Sequence, residues 1–560
     1  MLAVSALWLA SRAAAEGIWT ALANTAPGGV ETMLLLSDGT VMAQNGGGTG
    51  WYSLTPDSAG HYVNGTWTTR VSMHYSRLYY SSDVLEDGRV FVAGAEYGNG
   101  TTNAEIYEPV GDSWSIVSIP AGIINKNNTI GGQGQNTEGF VDSDSVILNN
   151  GKVLILPNGT ASFGETVIYD PVANSWSSST LFRGNNEDEA CSVKLPDDSI
   201  LLVDSGGTTS ERYIPASNSW VNDGTVPVTL YDPYGTEQGP AFLLPNGKTF
   251  FIGSPPHTAI YTPSGNTSPG TWIAGPNIPG NLGAPDAPAA MMFNGKILCA
   301  LSPTPFTLTG TNYVFTTPSY FYEYDYTVGA VGSFTQIHAP GGGFTRNQVT
   351  YNDRMLDLPD GTVLFTDGGG QLYVYQPDGS PIVSGKPTIY GVSWNTDGSL
   401  HLTGTLFNGI SQGVSYGDDV QMDSNYPLVR FTSGGSVYYG RTYNWSSTSV
   451  ATGGSVVSTE VAVPVTLPAG FYNLQVVANG IASDPVSFYG PIWVDFTYFS
   501  FFNFYFGTYV FPDNTLAKGV TDVASGGTIY IKNGFHSPET MTISKPMTIR
   551  AYGAPTTIGN

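Results

Sequence analysis

Charge is scarce in this chain, and positive charge most of all. Only 11% of the 560 residues are Asp, Glu, Lys or Arg, with 20 basic against 44 acidic side chains and a net charge of −24. A surface of that sign repels phosphate backbones, so nucleic acid is not an expected partner. Cysteine is nearly absent. Cys191 and Cys299 are too few for a disulfide framework, and their spacing does not say whether they pair. The Ala-Leu-Glu-Lys texture of long helices is missing. Apart from one aromatic run discussed below, no stretch reaches the roughly 18 charge-free apolar residues of a membrane helix. P-loop, dinucleotide-binding, zinc-pair and G-x-S-x-G patterns are also missing.

What is abundant is glycine (70), tyrosine (33), phenylalanine (26) and tryptophan (11). This is an all-β composition rich in turns. The N-terminus MLAVSALWLASRAAAEG joins a short apolar stretch to Ala13-Ala14-Ala15, and residues 1–16 read as a signal-peptide remnant. With low lysine and high Ser, Thr, Asn and Gly, this suggests an extracellular or cell-surface protein.

The chain repeats itself. Each unit has a tight turn, an apolar strand, then a strand bearing a Tyr-x-P phrase and often a Trp. EDGRVFVAG (86–94) is followed by AEIYEPVGDSW (104–114), NNGKVLILP (149–157) by TVIYDPVANSW (166–176), and PDGTVLFTDGG (359–369) by QLYVYQPDGSP (371–381). Seven turn markers, Gly39, Gly88, Gly151, Asp198, Gly247, Gly295 and Gly361, recur at a period near 50 residues. Four short strands per such period is a propeller signature, because one four-stranded sheet cannot bury both faces without neighbours. The Asp-Gly and Asn-Gly pairs supply the φ > 0 positions of tight hairpins. The pattern resembles the kelch repeat. The expectation is a seven-bladed kelch-type β-propeller over residues 17–383.

After Pro381 the texture changes. Residues 384–489 alternate like an immunoglobulin-like β-sandwich, with LPAGFYNLQVVANGIASDPVSF (467–488) as its last hairpin. Residues 490–514 hold an aromatic run, expected as a connecting strand. Phe499, Phe501, Phe502, Phe504, Tyr505 and Phe506 would either be buried or drive self-association. Residues 515–560 carry short strands, TIYIK, MTIS, MTIRAYG and TTIG, that read as the start of a right-handed parallel β-helix.

A propeller followed by an immunoglobulin-like domain resembles the galactose oxidase-like proteins. The phrases YYSSDVLEDGRVFVAG (79–94) and VTYNDRMLDLPDGTVLF (349–365) are similar too. The resemblance implies one copper held by two tyrosines and two histidines, one tyrosine being cross-linked to a cysteine. The cross-linked tyrosine would fall at Tyr79, and the axial tyrosine and first histidine at Tyr351-Asn352. The stretch matched to the second histidine offers Tyr443. Asn352 and Tyr443 thus stand where histidines belong, and no cysteine lies near the first turn. The remaining histidines, His61, His74, His257, His338, His401 and His536, are scattered. Asp418, Asp419 and Asp423 offer oxygen ligands for calcium, but without EF-hand spacing.

The expectation is therefore a non-catalytic extracellular binding or structural module without copper. Self-association into an oligomer or fibre, and glycan or cell-surface ligands, fit that reading. The alternatives are a copper-radical oxidase of carbohydrate alcohols or aldehydes with rearranged ligands, and a lyase or hydrolase using mouth carboxylates.

Overall fold

The computed structural model describes residues 16–124, 128–131, 135–138, 140–141, 143–156, 166–178, 190–309, 312–395, 397–416, 423–509, 511–532, 534 and 536–559. It is nearly all-β, with a propeller arrangement. Six four-stranded antiparallel sheets follow one another, and a larger sheet built on Ala289–Met291, Ile297–Pro303, Ser319–Asp325 and Ser333–Ile337 joins them. The innermost strands stand side by side. Val30–Leu35 lies between Arg354–Asp357 and Ser81–Val84, and Ser81–Val84 in turn lies beside Asp144–Ile147. Inner strands such as Ser81–Val84 and Val363–Thr366 are buried throughout, whereas outer ones such as Ser175–Ser178 are half-buried or exposed. That gradient is what radial packing of twisted sheets requires.

The Tyr-x-P phrase explains itself in three dimensions. Tyr107 pairs in register with Trp114, and Tyr169 with Trp176. Their ring centroids lie 5.1 and 4.7 Å apart, and the Tyr213–Trp220 and Tyr261–Trp272 pairs lie at 5.5 and 5.0 Å. The tyrosine hydroxyl then donates to the turn residue five positions on: Tyr107 to Asp112 at 2.8 Å, Tyr169 to Asn174 at 3.0 Å and Tyr213 to Asn218 at 2.8 Å. Those acceptors have φ of 45°, 47° and 48°. Asp and Asn tolerate this left-handed backbone, and the tyrosine stabilises it.

The last Tyr-x-P unit has no Trp of its own. Ile18–Ala21, from the other end of the chain, completes its sheet by pairing with Tyr373–Gln376, with Trp19 opposite Tyr375. Trp19 sits 4.8 Å from Tyr375 and 5.6 Å from both Phe321 and Phe365. The two ends of the propeller are closed by one strand of four residues.

Residues beyond 387 form an eight-stranded antiparallel sheet around its own core of Leu402, Phe431, Val461, Leu474 and Phe488. It rests on the Asp-Gly turns of the propeller. Thr442 N donates to Ser37 O at 3.2 Å, and Trp445 N to Glu86 O at 3.2 Å. Beyond it, Ile492–Val494, Thr528–Lys532 and Thr548–Tyr552 pair in parallel, as do His536–Ser537 and Thr557–Ile558. The expected strand over 541–544 does not form; His536–Ser537 takes a place in the ladder instead. Helix Leu516–Asp522, capped by Thr515 accepting from Lys518 N, covers one side through Leu516.

The aromatic run is not a strand. Residues 495–509 and 511–513 form an irregular loop closed at its base by backbone bonds from Trp493 to Gly507, Asp495 to Asp513 and Asp513 to Trp493. These bonds tie the loop to the ladder strand Ile492–Val494 at its base. Phe499, Phe501, Phe502, Phe504 and Phe506 are exposed, Phe501 at 89%, and Tyr505 is half-buried beside Tyr498. The alternative expectation, burial against neighbouring domains, is therefore overturned for the phenylalanines.

Candidate functional site

A segment of the C-terminal domain runs through the middle of the propeller. Val414–Ser415 adds to the edge of Ala289–Met291, with Val414 opposite Ala290. On its way, Gln412 Oε1 accepts from Lys194 N at 2.9 Å, and Ser415 Oγ receives Ala241 N at 3.2 Å. Ser424 Oγ donates to Asp357 Oδ2 at 3.2 Å, and the Tyr426 hydroxyl to Leu35 O. The segment thus touches the innermost strands of several sheets. Cys191 Sγ lies 3.2 Å from Ser415 Oγ; both cysteines are buried and neither is in a disulfide.

The segment brings Tyr416 to the end of the propeller opposite the Asp-Gly turns. Tyr79 immediately precedes Tyr80 and the inner strand Ser81–Val84, and the turn Thr350–Asn352 precedes Arg354–Asp357. Tyr79 and Tyr416 stack with centroids 6.5 Å apart and planes 13° from parallel. The Tyr416 hydroxyl donates to Tyr351 O at 2.8 Å. The guanidinium of Arg354, fully buried, lies against the Tyr416 ring and to one side of the Tyr79 ring. Its central carbon is 3.8 Å from the Tyr416 ring centroid and 5.5 Å from that of Tyr79. Its Nη1 donates to Tyr351 O at 2.6 Å and Asp353 O at 2.8 Å, and its Nη2 is 3.7 Å from Glu31 Oε2. Tyr97, half exposed, meets the Tyr79 ring edge-on, and Phe315 does the same to Tyr351.

Acidic groups surround this cation. Burial pushes the Glu31 carboxyl up while Arg354 pulls it down. Asp286 is pushed up to about 6 by burial, against a hydrogen bond with Glu237 and the charge of Arg354. Burial also raises Asp353, with Asp367 adding to the rise and Arg346 and Arg354 opposing it. Deeper along the axis, Asp83 and Asp357 are each raised to about 7 by burial. Asp423 is raised to about 6, with Lys194 opposing. Lys194 itself is lowered by burial and donates from Nζ to Thr448 O at 2.8 Å.

The sequence-derived positions divide. Tyr79 and Tyr351 both border Tyr416, the first through its ring and the second through its backbone carbonyl. Asn352 lies beside Gly368, where a Cβ would come within 3.9 Å of the Asn352 Cβ. Tyr443 does not belong to the cluster. It ends the strand Ser436–Tyr443, opposite Glu460 and under Arg441, at the Asp-Gly end. Tyr416, from the same domain, is the tyrosine that joins Tyr79 and Tyr351. The two tyrosines lie 27 residues apart on the same domain, and nothing in the spacing marks which one enters the propeller. Asp418 and Asp419 lie outside the described residues, and Asp423 faces Lys194.

The residues present do not fit copper. Tyr416 offers the metal a ring face and directs its hydroxyl proton at a carbonyl, so its oxygen lone pairs are not presented as a ligand. The Arg354 guanidinium lies against the Tyr416 ring, where it would repel a metal cation. The described histidines are engaged elsewhere: His61 with Asp360, His74 with Glu105, His257 with Asn277, His338 with Glu16, His401 with Glu460 and His536 with Gly559 O. Among the described residues no group of three or more His, Cys, Asp or Glu is placed to hold a metal ion.

No protein-family model matches the chain, and no curated protein matches it. Solved structures similar to it include a fungal alcohol oxidase of the AA5 family in complex with copper, at 16% identity and a TM-score of 0.45, covering 85% of this chain and 99% of that one. A virginiamycin B lyase from Staphylococcus aureus is similar at 10% identity and a TM-score of 0.40, covering 65% of this chain and 100% of its own. A streptogramin B lyase is similar at 11% identity and a TM-score of 0.40, covering 65% and 98%.

Proposed function

We propose that this chain is a non-catalytic extracellular or cell-surface protein, built on a seven-bladed kelch-type propeller with an immunoglobulin-like domain, that serves as a binding or structural module. The start of a parallel β-helix follows these two parts. Seven four-stranded meanders, the last completed by Ile18–Ala21, support the blade count. The observation that carries the functional reading is the stack of Tyr79, Arg354 and Tyr416. It contains Tyr79, for which the resemblance implies a copper-ligand role, and it puts a cation beside that ring where a metal would need lone pairs.

The phenylalanine loop supports a structural role through self-association. Its residues 496–511 carry no charge, so two copies of an otherwise acidic protein can approach there without repulsion. Five exposed phenylalanines offer an apolar area of several hundred Å², approaching the roughly 800 Å² each partner contributes to a standard interface.

The test is an oxidase assay on copper-treated protein. No hydrogen peroxide should form from galactose or glyoxal. Turnover with stoichiometric copper would replace this reading with the copper-radical oxidase.

A further inference from the structure

The tip of the phenylalanine loop is organised, although it carries no regular secondary structure. Ser500 N donates to the Tyr505 hydroxyl at 3.3 Å, Phe504 N to Ser500 Oγ at 3.0 Å, Asn503 N to Ser500 O at 3.2 Å and Phe506 N to Phe511 O at 2.9 Å. These donors find acceptors inside the loop, so a partner can exclude water from the tip without stranding them. The rings are ordered as well. Phe502, Phe504 and Phe506 stack in a row with successive centroids 5.7 Å apart, and Phe511 meets the last two edge-on. Rings that already hold one another lose little freedom on binding.

Charge decides which part of a second copy can come close. Residues 491–560 contain four acidic and four basic side chains, so residues 1–490 carry the whole net charge of −24. Two copies that meet at the loop bring together the neutral part of each chain and keep like charge out of the contact. An anionic lipid surface would repel the rest of the molecule. Exposed aliphatic side chains elsewhere make poor acceptors for the loop. Val110 and Val172 stand singly in turns, between Glu108 and Asp112 and between Asp170 and Asn174. Among the described residues, this loop alone gathers six exposed phenylalanines within thirteen positions.

We propose that the partner of this loop is the same loop on a second copy of the chain, and that the two meet about a two-fold axis as a closed dimer. The proposal rests on the reading of the loop as a self-association surface and adds the partner and the symmetry. A patch that binds itself is used up once two copies have met, so assembly stops at the dimer and does not grow into a fibre. The apolar area of the loop falls short of a standard interface, so monomer and dimer exchange reversibly.

The experiment is sedimentation velocity on the full chain over a wide range of concentration, with Asn503→Asp and Asn503→Lys as variants. Asn503 is exposed at the tip, at φ 56°. About a two-fold axis at the tip, Asn503 comes close to the partner's Asn503. The native chain should pass from monomer to dimer with rising concentration and form nothing larger. Each variant alone sets like charges face to face and should dimerise at least tenfold more weakly. An equimolar mixture of the two sets opposite charges together and should recover most of the native dimer. Native species larger than a dimer overturn the proposal, and so does a mixture no more dimeric than its components. A native chain that stays monomeric also overturns it; if that monomer floats with neutral phosphatidylcholine vesicles, the partner is a lipid surface. Should a charged variant melt well below the native chain, Phe501→Ser with Phe502→Ser takes its place, and an undiminished dimer then overturns the proposal. Self-association lost in that double variant but not recovered in the charge mixture keeps the loop as an association surface and removes only the two-fold pairing. The peroxide assay tests the non-catalytic reading separately.

Discussion

Asp357→Asn should make this protein more stable at pH 8 while changing little near pH 4. Asp357 lies on an inner strand, 3% exposed, under the inserted segment. Burial raises its carboxyl to about 7, against one hydrogen bond from Ser424. It is a cleaner probe than Asp83 or Asp423, whose shifts also involve each other or Lys194. A folded pKa above the unfolded value means stability that is fully present below about pH 4 and lost as pH rises toward 7. A shift of about three units corresponds to roughly 4 kcal/mol at the upper end. Relaxation of the site brings the working expectation to about 2–4 kcal/mol. Asparagine keeps the shape without the charge, so this part of the pH dependence should vanish. Urea unfolding followed by tryptophan fluorescence at pH 5 and pH 8 reads the difference. Equal pH slopes for native and variant protein, or a variant less stable at pH 8, would refute the reasoning that the inserted segment seals a carboxyl from water.

Trp19→Ala should cost about 2–4 kcal/mol in a urea titration, because the closing strand loses its ring contacts with Phe321, Phe365 and Tyr375. Asn174→Val should cost about 1–2 kcal/mol by the same assay, since a β-branched residue is strained at φ 47° and the Tyr169 hydroxyl loses its acceptor; Asn174→Asp should be nearly neutral. Phe501→Ser with Phe502→Ser should leave unfolding within about 0.5 kcal/mol of the native chain, both side chains being exposed. In sedimentation velocity the same double variant should show less self-association; an unchanged oligomer distribution would sink that part of the functional reading.

The repeat was legible because its chemistry is local. Tyr107, the acceptor Asp112 and Trp114 lie within eight residues, so the phrase survives in the linear text. The tight turns are equally local: Gly361 has φ 87° with the Phe293 ring close behind it, and Asp198 holds φ 66° where its counterparts are glycine. Tyr79 and Tyr351 could be picked out only through the resemblance of the phrases around them, YYSSDVLEDGRVFVAG and VTYNDRMLDLPDGTVLF, to the galactose oxidase-like proteins. The aromatic run was misjudged because its composition is that of a strand. The bonds that close it into a loop join residues up to 20 positions apart and are backbone to backbone, which no side-chain pattern records.

The sequence by itself determined the propeller repeat, its turns and its Tyr–Trp pairs, since each depends on neighbours a few residues away. Only the tertiary structure decided that Trp19 completes the last sheet 356 residues from its partner Tyr375. It alone decided that Tyr416, not Tyr443, enters the propeller, and that Arg354 lies against its ring. The physical reason is the same in each case. Contacts made through the centre of the fold join segments with no fixed spacing, so they leave no periodic signal in the chain.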